Sequence, residues 1–371
     1  MVKQQKDSAA KTKERKSIRP ALIVSEHIMS DYSIILHHLL VGLADKSIQS
    51  ALVCRPGNNL ESVVLPLVEI INHPFLELPL MGRQNKKILV ERLEKFGPTV
   101  LHCLCESKAK LTRQLARHLD LPYVLTVNSL QKRFGQLAVS PRRCAKIIVP
   151  AKSIATNISN VYPRLAEQIE QINVGTFVSE KVRCLRERGR PGSVVTAYRL
   201  DNVDDFENLF GAVRHLAIDG YEFMLVITGG GRAESQVRKL LSALGLLEIV
   251  IIVPRPESWR RILEAGDIYV QPAASNAFDP LLLEAMSAGV AVAGCKGGVD
   301  DLIINGKTAI VFDAEDELSI YNALQQLFDR PELARQLARG GQEYVRENHT
   351  VSKMVSDILR TYLDAGQWYG R

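Results

Sequence analysis

Residues able to do chemistry gather in the second half of the chain. Gly229, Gly230 and Gly231 follow the apolar run FMLVIT and precede a helical pattern. Glycines in that place let the backbone turn sharply and approach a ligand, and the following helix start attracts an anion. A bare glycine turn has the same sequence, so both readings stay open. A second stretch, SNAFDPLLLEAMSAGVAVAG, starts at Ser275. Here a turn bearing Phe278 leads into a helix with Leu281, Leu282 and Glu284, which Gly289 stops ahead of an apolar strand. Free N–H groups at such a helix start can hold a diphosphate. Glu284, read as a first-turn carboxylate, can accept from ribose hydroxyls or simply complement the helix dipole. Asn276, Ala277 and Asp279 stand where a nucleotide site is expected to carry glycines and an acid. A third stretch holds Gly297 and Gly298, placed to press a loop against a ligand, followed by an ordinary tight turn at Asn305 and Gly306.

Short apolar runs alternating with helical periodicity must position these residues. Strands are expected at 21–25, 50–54, 99–105, 123–127 and 146–149, with helices at 111–119 and 153–161. A further helix carries Leu36, Leu39, Leu40 and Leu43, capped by Ser30 or Asp31. Residues 181–193 are charged and rich in glycine and proline, which reads as a linker. Alternation restarts with strands at 194–198, 223–228, 248–253 and 268–271 and helices at 206–216, 234–244 and 259–264. Asp313 is placed to cap a helix, Pro331 opens another, and 352–363 forms a last one. Such alternation predicts two α/β units of parallel strands facing one another across a cleft. The expected organisation is a basic leader at 1–19, a first unit at 20–180, the linker, a second unit at 194–349, and a terminal helix at 350–371 packing back on the first unit.

The 371 residues suit two domains, and 46% hydrophobic content suits real cores. The leader holds seven basic residues against Asp7 and Glu14, so it carries +5 of the +6 net charge. It reads as a solubilising segment, or as a tether to the inner face of a membrane. The folded body is nearly neutral and lacks an aromatic–basic stripe, which argues against nucleic acid as a partner. With no signal-like apolar core at the N-terminus and no spanning run, the expected location is cytoplasmic. The six cysteines form no CxxC pair and the eight histidines have no ligand spacing, so neither a metal nor a cofactor is expected.

Taken together, SVVTAYRLDNVDDFENLFGAV, MLVITGGGRAESQVRKLLSALGL and AGDIYVQPAASNAFDPLLLEAMSAGVAVAG with GGVDDLIINGKTAIVFD resemble the family 4 (group 1) glycosyltransferases of GT-B fold. The resemblance runs from about residue 20 onward, and is specific in the second half. It implies two Rossmann-like domains, with a nucleotide-diphosphate sugar in the second and the acceptor (saccharide, lipid or protein) against the first. It also implies retention of anomeric configuration without a metal, an arginine and a lysine stabilising the departing diphosphate. Arg199 matches the arginine, and Glu284 the ribose-binding glutamate of a pair spaced eight apart.

Four positions depart from that pattern. Asp204 stands in place of the lysine, Asn276 in place of the first glutamate, and Asn128 in place of a histidine. Ser30 and Asp31 replace the acceptor-side glycines. Losing one such donor costs about 3–4 kcal/mol of barrier, and a carboxylate ~5 Å from phosphate adds roughly 3 kcal/mol at an effective dielectric near 20. Lys296, Arg255 and Lys307 are candidate substitutes, and a divalent ion on Asp204 and Asp205 is another. Three readings follow: a divergent hexosyltransferase-type enzyme, a catalytically degenerate GT-B module that binds a protein partner or glycan, and, less favoured, an epimerase.

Overall fold

The computed structural model describes residues 17–57, 65–75, 81–133, 137–182, 184–185, 191–253 and 259–369. Most of the basic leader, Arg255 and part of the expected linker lie outside these residues. The first unit runs β1 (Pro20–Ile23), α1 (Glu26–Asp31), α2 (Ser33–Asp45), β2 (Ser50–Cys54), β3 (Val68–Asn72), α3 (Met81–Phe96) and β4 (Val100–Cys103). It continues with α4 (Ala109–Leu119), β5 (Tyr123–Thr126), β6 (Cys144–Val149), α5 (Lys152–Val161) and β7 (Ile169–Gln171). The second unit runs β8 (Gly192–Ala197), α6 (Asp204–Ile218), β9 (Phe223–Thr228), α7 (Glu234–Ala243), β10 (Val250–Val253), α8 (Trp259–Ala265) and β11 (Ile268–Val270). There follow α9 (Pro280–Ala288), β12 (Ala291–Cys295), β13 (Ile310–Phe312), α10 (Glu317–Asp329), α11 (Pro331–Asn348) and α12 (Val351–Tyr369).

Both sheets are parallel throughout. Their strand orders are β3-β2-β1-β4-β5-β6-β7 and β10-β9-β8-β11-β12-β13. Each order reverses beside its first strand, between β1 and β4 and between β8 and β11, and ligands of such folds bind at the carboxyl ends there. The apolar runs become strands because a parallel sheet covered on both faces has no polar side to display. Helices supply the covers. On α6, Phe206, Leu209, Phe210, Val213 and Leu216 recur at helical spacing and are fully buried. Each such side chain contributes roughly 1.5–3 kcal/mol by leaving water.

Several boundaries differ from expectation. β8 begins at Gly192, inside the expected linker. Neither Ser30 nor Asp31 caps the leucine-rich helix: Ser25 caps α1, accepting from the Ile28 N–H at 3.4 Å, while α2 starts from Tyr32 with no side-chain cap. Asp316, not Asp313, caps α10, because Asp313 is spent on a turn, accepting from the Glu315 N–H at 3.0 Å.

The two units meet along a bonded seam. The Phe278 N–H donates to the Asn128 carbonyl at 2.9 Å and the Leu130 N–H to the Asn276 carbonyl at 2.8 Å. Tyr32, on the first unit, donates its hydroxyl to the Phe278 carbonyl at 2.7 Å. Ser153 donates to the Asp301 carboxylate through both its N–H and its hydroxyl. One apolar cluster runs from the first sheet through α9 to α12. Helix α12 lies on the first unit: its buried Tyr362 hydroxyl meets His102 Nδ1 at 2.6 Å, and Thr361 donates to Glu170 at 3.2 Å. Among the described residues no helix is long and apolar enough to cross a membrane.

Candidate functional site

The facing carboxyl ends of the two sheets enclose a cleft of about 660 Å³. His27, Asp31 and Tyr32 line it from the first unit, opposite the turns after β8, β9 and β11. Of the catalytic and donor-binding candidates expected from sequence, Arg199, Gly229, Gly230, Phe278 and Leu281 line this cleft.

Arg199 leaves the end of β8. Its Nε donates to Asp201 at 2.7 Å and its Nη1 reaches Asp31 across the cleft at 3.4 Å. Asp31 in turn pairs with His27 Nδ1 at 2.6 Å, and that bond raises the imidazole pKa above its ordinary value. A single guanidinium therefore stands amid acids, since Asp31, Asp201, Asp205, Glu234 and Asp279 share the lining.

The glycine turn is built for backbone proximity. A Cβ on Gly229, whose φ is +153°, would lie 2.2 Å from the Tyr198 carbonyl oxygen. One on Gly231 would lie 2.3 Å from the Leu200 carbonyl. Gly230 alone faces open space. Two of the three glycines thus serve the close approach of the β8 and β9 turns, leaving Gly230 free toward a ligand. Gly298 behaves like Gly229: its Cβ position falls 2.1 Å from the Ser275 carbonyl oxygen, so this glycine packs one loop on another.

The start of α9 differs most from expectation. Asp279 is its N-cap and Pro280 its first residue, so Glu284 sits beyond the first turn. The helix-start N–H groups are not free. Asp279 Oδ1 accepts from Leu281 N–H at 2.9 Å and Leu282 N–H at 3.1 Å. Its Oδ2 accepts from Tyr269 at 3.3 Å and Gln271 at 3.4 Å. Burial raises the Asp279 pKa while these donors pull it down. Leu282 itself is buried.

Glu284 is 1% exposed and absent from the cleft lining. Thr176 donates to its Oε1, His38 Nδ1 lies 3.8 Å away, and its Oε2 has no hydrogen-bond partner among the described residues. Burial pushes this carboxyl up to about 7 and His38 down to about 4. The pair thus spans the seam between α2 and α9 rather than facing the cleft.

The departing positions are also placed. Asp204 is exposed at the start of α6, while its neighbour Asp205 reaches the cleft. Asn276 is exposed and contributes its carbonyl to the seam. Asn128 donates from Nδ2 to the Leu104 carbonyl at 3.0 Å, and Glu106 accepts from its N–H. Lys296 donates to the Ile303 carbonyl at 2.8 Å, and Lys307 lies 6.0 Å from the Tyr344 ring. Neither lysine lines the cleft. Among the described residues no group of three His, Cys, Asp or Glu side chains is arranged to hold a metal. All six cysteines are buried thiols.

No sequence signal marked His27, Tyr32 or Glu234 as cleft residues, nor was Asp279 expected as a cap. The cap had a signal, because Asp followed by Pro is the pattern of an N-cap and first helical residue. The others come together only through the packing of two units.

Residues 180–344 match the family "Glycosyl transferases group 1". An N-acetyl-alpha-D-glucosaminyl L-malate synthase of Bacillus anthracis is 26% identical over 222 residues, 59% of this chain and 56% of that protein. The sulfoquinovosyl transferase SQD2 of Arabidopsis thaliana is 21% identical over 80% of this chain and 62% of its own length. The matches thus span a little over half the length of these curated relatives. Among solved structures, Anabaena HepE in complex with UDP-glucose superposes with a TM-score of 0.78 at 15% identity, covering 93% of this chain and 99% of that one. A glycosyltransferase from Rickettsia africae gives 0.76 at 14% identity, covering 94% and 99%. The fold is GT-B.

Proposed function

We propose that this protein, whose residues 180–344 match the group 1 glycosyl transferases, transfers a sugar from a nucleoside diphosphate sugar. The donor occupies the cleft against the second unit, and the acceptor approaches from the His27, Asp31 and Tyr32 wall. The observation that carries this reading is the 660 Å³ cleft at the carboxyl ends of two facing sheets, with Arg199 projecting into it beside the open Gly230. Arg199 stabilises the departing diphosphate while the sugar carries oxocarbenium character. The reaction retains anomeric configuration and draws on preorganised charge rather than a metal. Similarity to a structure holding UDP-glucose supports the donor class.

The test is calorimetric titration with UDP, GDP, ADP and their common sugar conjugates, followed by release of nucleoside diphosphate on turnover. Arg199→Ala is expected to lower turnover by about 10²–10³-fold. Unchanged turnover in that variant sinks the role given to Arg199.

A second reading is favoured by one observation. Asp279 places its own carboxylate on the Leu281 and Leu282 N–H groups, where a donor phosphate would otherwise be held. Under this reading the chain is a catalytically degenerate binding module. Wild type then binds no nucleoside diphosphate, whereas Asp279→Gly, which frees the Leu281 and Leu282 N–H groups, acquires measurable binding. Saturable, Arg199-dependent donor binding by the wild type eliminates it.

A further inference from the structure

Away from the cleft, a groove of about 360 Å³ lies between α11 and the chain segment that crosses from the first unit to the second. Lys181, Arg335, Arg339 and Arg346 line it, with Glu180 and Glu343 as the opposing charges. The three arginines follow helical spacing: steps of four and then seven residues keep them on one face of α11. Backbone carbonyls fix two of them. Arg335 Nη1 donates to the Leu185 carbonyl at 2.6 Å, and Arg346 Nη2 to the Ser179 carbonyl at 3.3 Å. Arg335 also pairs with Glu332 at 2.6 Å. The Lys181 ammonium and the Arg339 guanidinium have no hydrogen-bonded or ion-paired partner among the described residues. The buried Gln342 floors the groove, donating to the Ser179 and Lys181 carbonyls at 3.1 and 3.4 Å.

Guanidinium groups anchored through one nitrogen keep other N–H groups in a fixed fork, the arrangement that suits phosphate oxygens. We infer that this groove is a second anion site, which takes a phosphate-bearing ligand independently of the cleft. The cations outnumber the acids, and the two unpaired ones lie on opposite elements, so the ligand bridges α11 and the crossing segment. That ligand is either a soluble phosphate compound or the headgroup of an anionic phospholipid.

Calorimetry with inorganic pyrophosphate and sedimentation with phosphatidylcholine vesicles, with and without phosphatidylglycerol, test the site on the full chain. The comparison is between wild type, Arg339→Glu/Arg346→Glu and Arg199→Ala. Both groove positions are exposed, so their charge reversal leaves the core untouched. Saturable pyrophosphate binding, weakened at least about tenfold in the double variant and retained in Arg199→Ala, supports a soluble phosphate ligand. Recruitment to phosphatidylglycerol vesicles with the same variant pattern supports the headgroup. The basic leader is common to all three proteins, so their difference isolates the groove. Should neither probe bind, or the double variant bind both as wild type does, the inference is overturned. Pyrophosphate binding lost only in Arg199→Ala belongs to the cleft and overturns it as well.

Discussion

Under helices α1, α2 and α12 at the carboxyl edge of the first sheet the side chains close on one another, whereas the same edge of the second sheet opens into the cleft. In the first unit Ile28, Leu36, His102, Asn128, Met354 and Ile358 leave only about 60 Å³ between them. Helices α1, α2 and α12 roof that edge, and the Asn128 amide is spent on a backbone carbonyl. In the second unit glycine turns and the start of α9 line about 660 Å³. The two strand orders are the same in kind. What distinguishes the units is the covering: a strand order provides an edge, and the loops and helices over it decide whether a ligand can reach it.

The sharpest way to break this contrast is to add a single methyl in the open edge. Gly229→Ala drives a Cβ into the Tyr198 carbonyl and is expected to destabilise the chain by roughly 3–5 kcal/mol in urea melts. Gly230→Ala, which meets open space, is expected to stay within about 0.5 kcal/mol. Equal effects at the two positions would mean that the turn is not held as described.

Glu284 tests the seam between the edges. Its carboxyl rises from 4.5 in the ordinary state to about 7 on burial, so between these values the folded chain holds a proton the unfolded chain has released. That contribution is complete below pH 4.5 and is lost as the pH climbs toward 7. Glu284→Gln cannot ionise. Its stability relative to wild type should therefore grow across that window, by at most about 3 kcal/mol. His38 shifts the opposite way, and is present in both proteins. A flat difference would show that the carboxylate stays ionised when buried.

A smaller effect than those at Gly229 and Glu284 belongs to Tyr32, whose hydroxyl ties the first unit to the Phe278 carbonyl. Tyr32→Phe is expected to cost about 1 kcal/mol in thermal or urea melting. A loss several times larger would mean the closed edge depends on this bond more than on its packing.

The alternation of strands and helices was legible because buried parallel strands are continuous apolar runs such as ALIVS and KIIV. Helix α3 and strand β3 were not. α3 is mostly polar, and its buried residues among those described are Leu89, Leu93 and Phe96, spaced four and three apart. β3 sits at the sheet edge with one fully buried residue, Ile71. The glycines and Arg199 could be placed near a cleft from sequence because short turns after strands keep them there. Glu284 could not, since its surroundings come from Thr176 and His38, more than a hundred residues away. The cap at Asp279 was readable as Asp-Pro, yet its meaning for the helix-start donors required the hydrogen bonds themselves.

Helix α12 has a consequence for biosynthesis. A chain emerging from the ribosome completes every strand of the first sheet long before residues 351–369 exist. Until they arrive, the surface that receives Met354, Val355, Ile358 and Tyr362 stays bare, and His102 lacks its tyrosine. The first unit to be made is therefore the last to be finished, and a nascent chain paused near residue 349 exposes an apolar strip that a chaperone would cover.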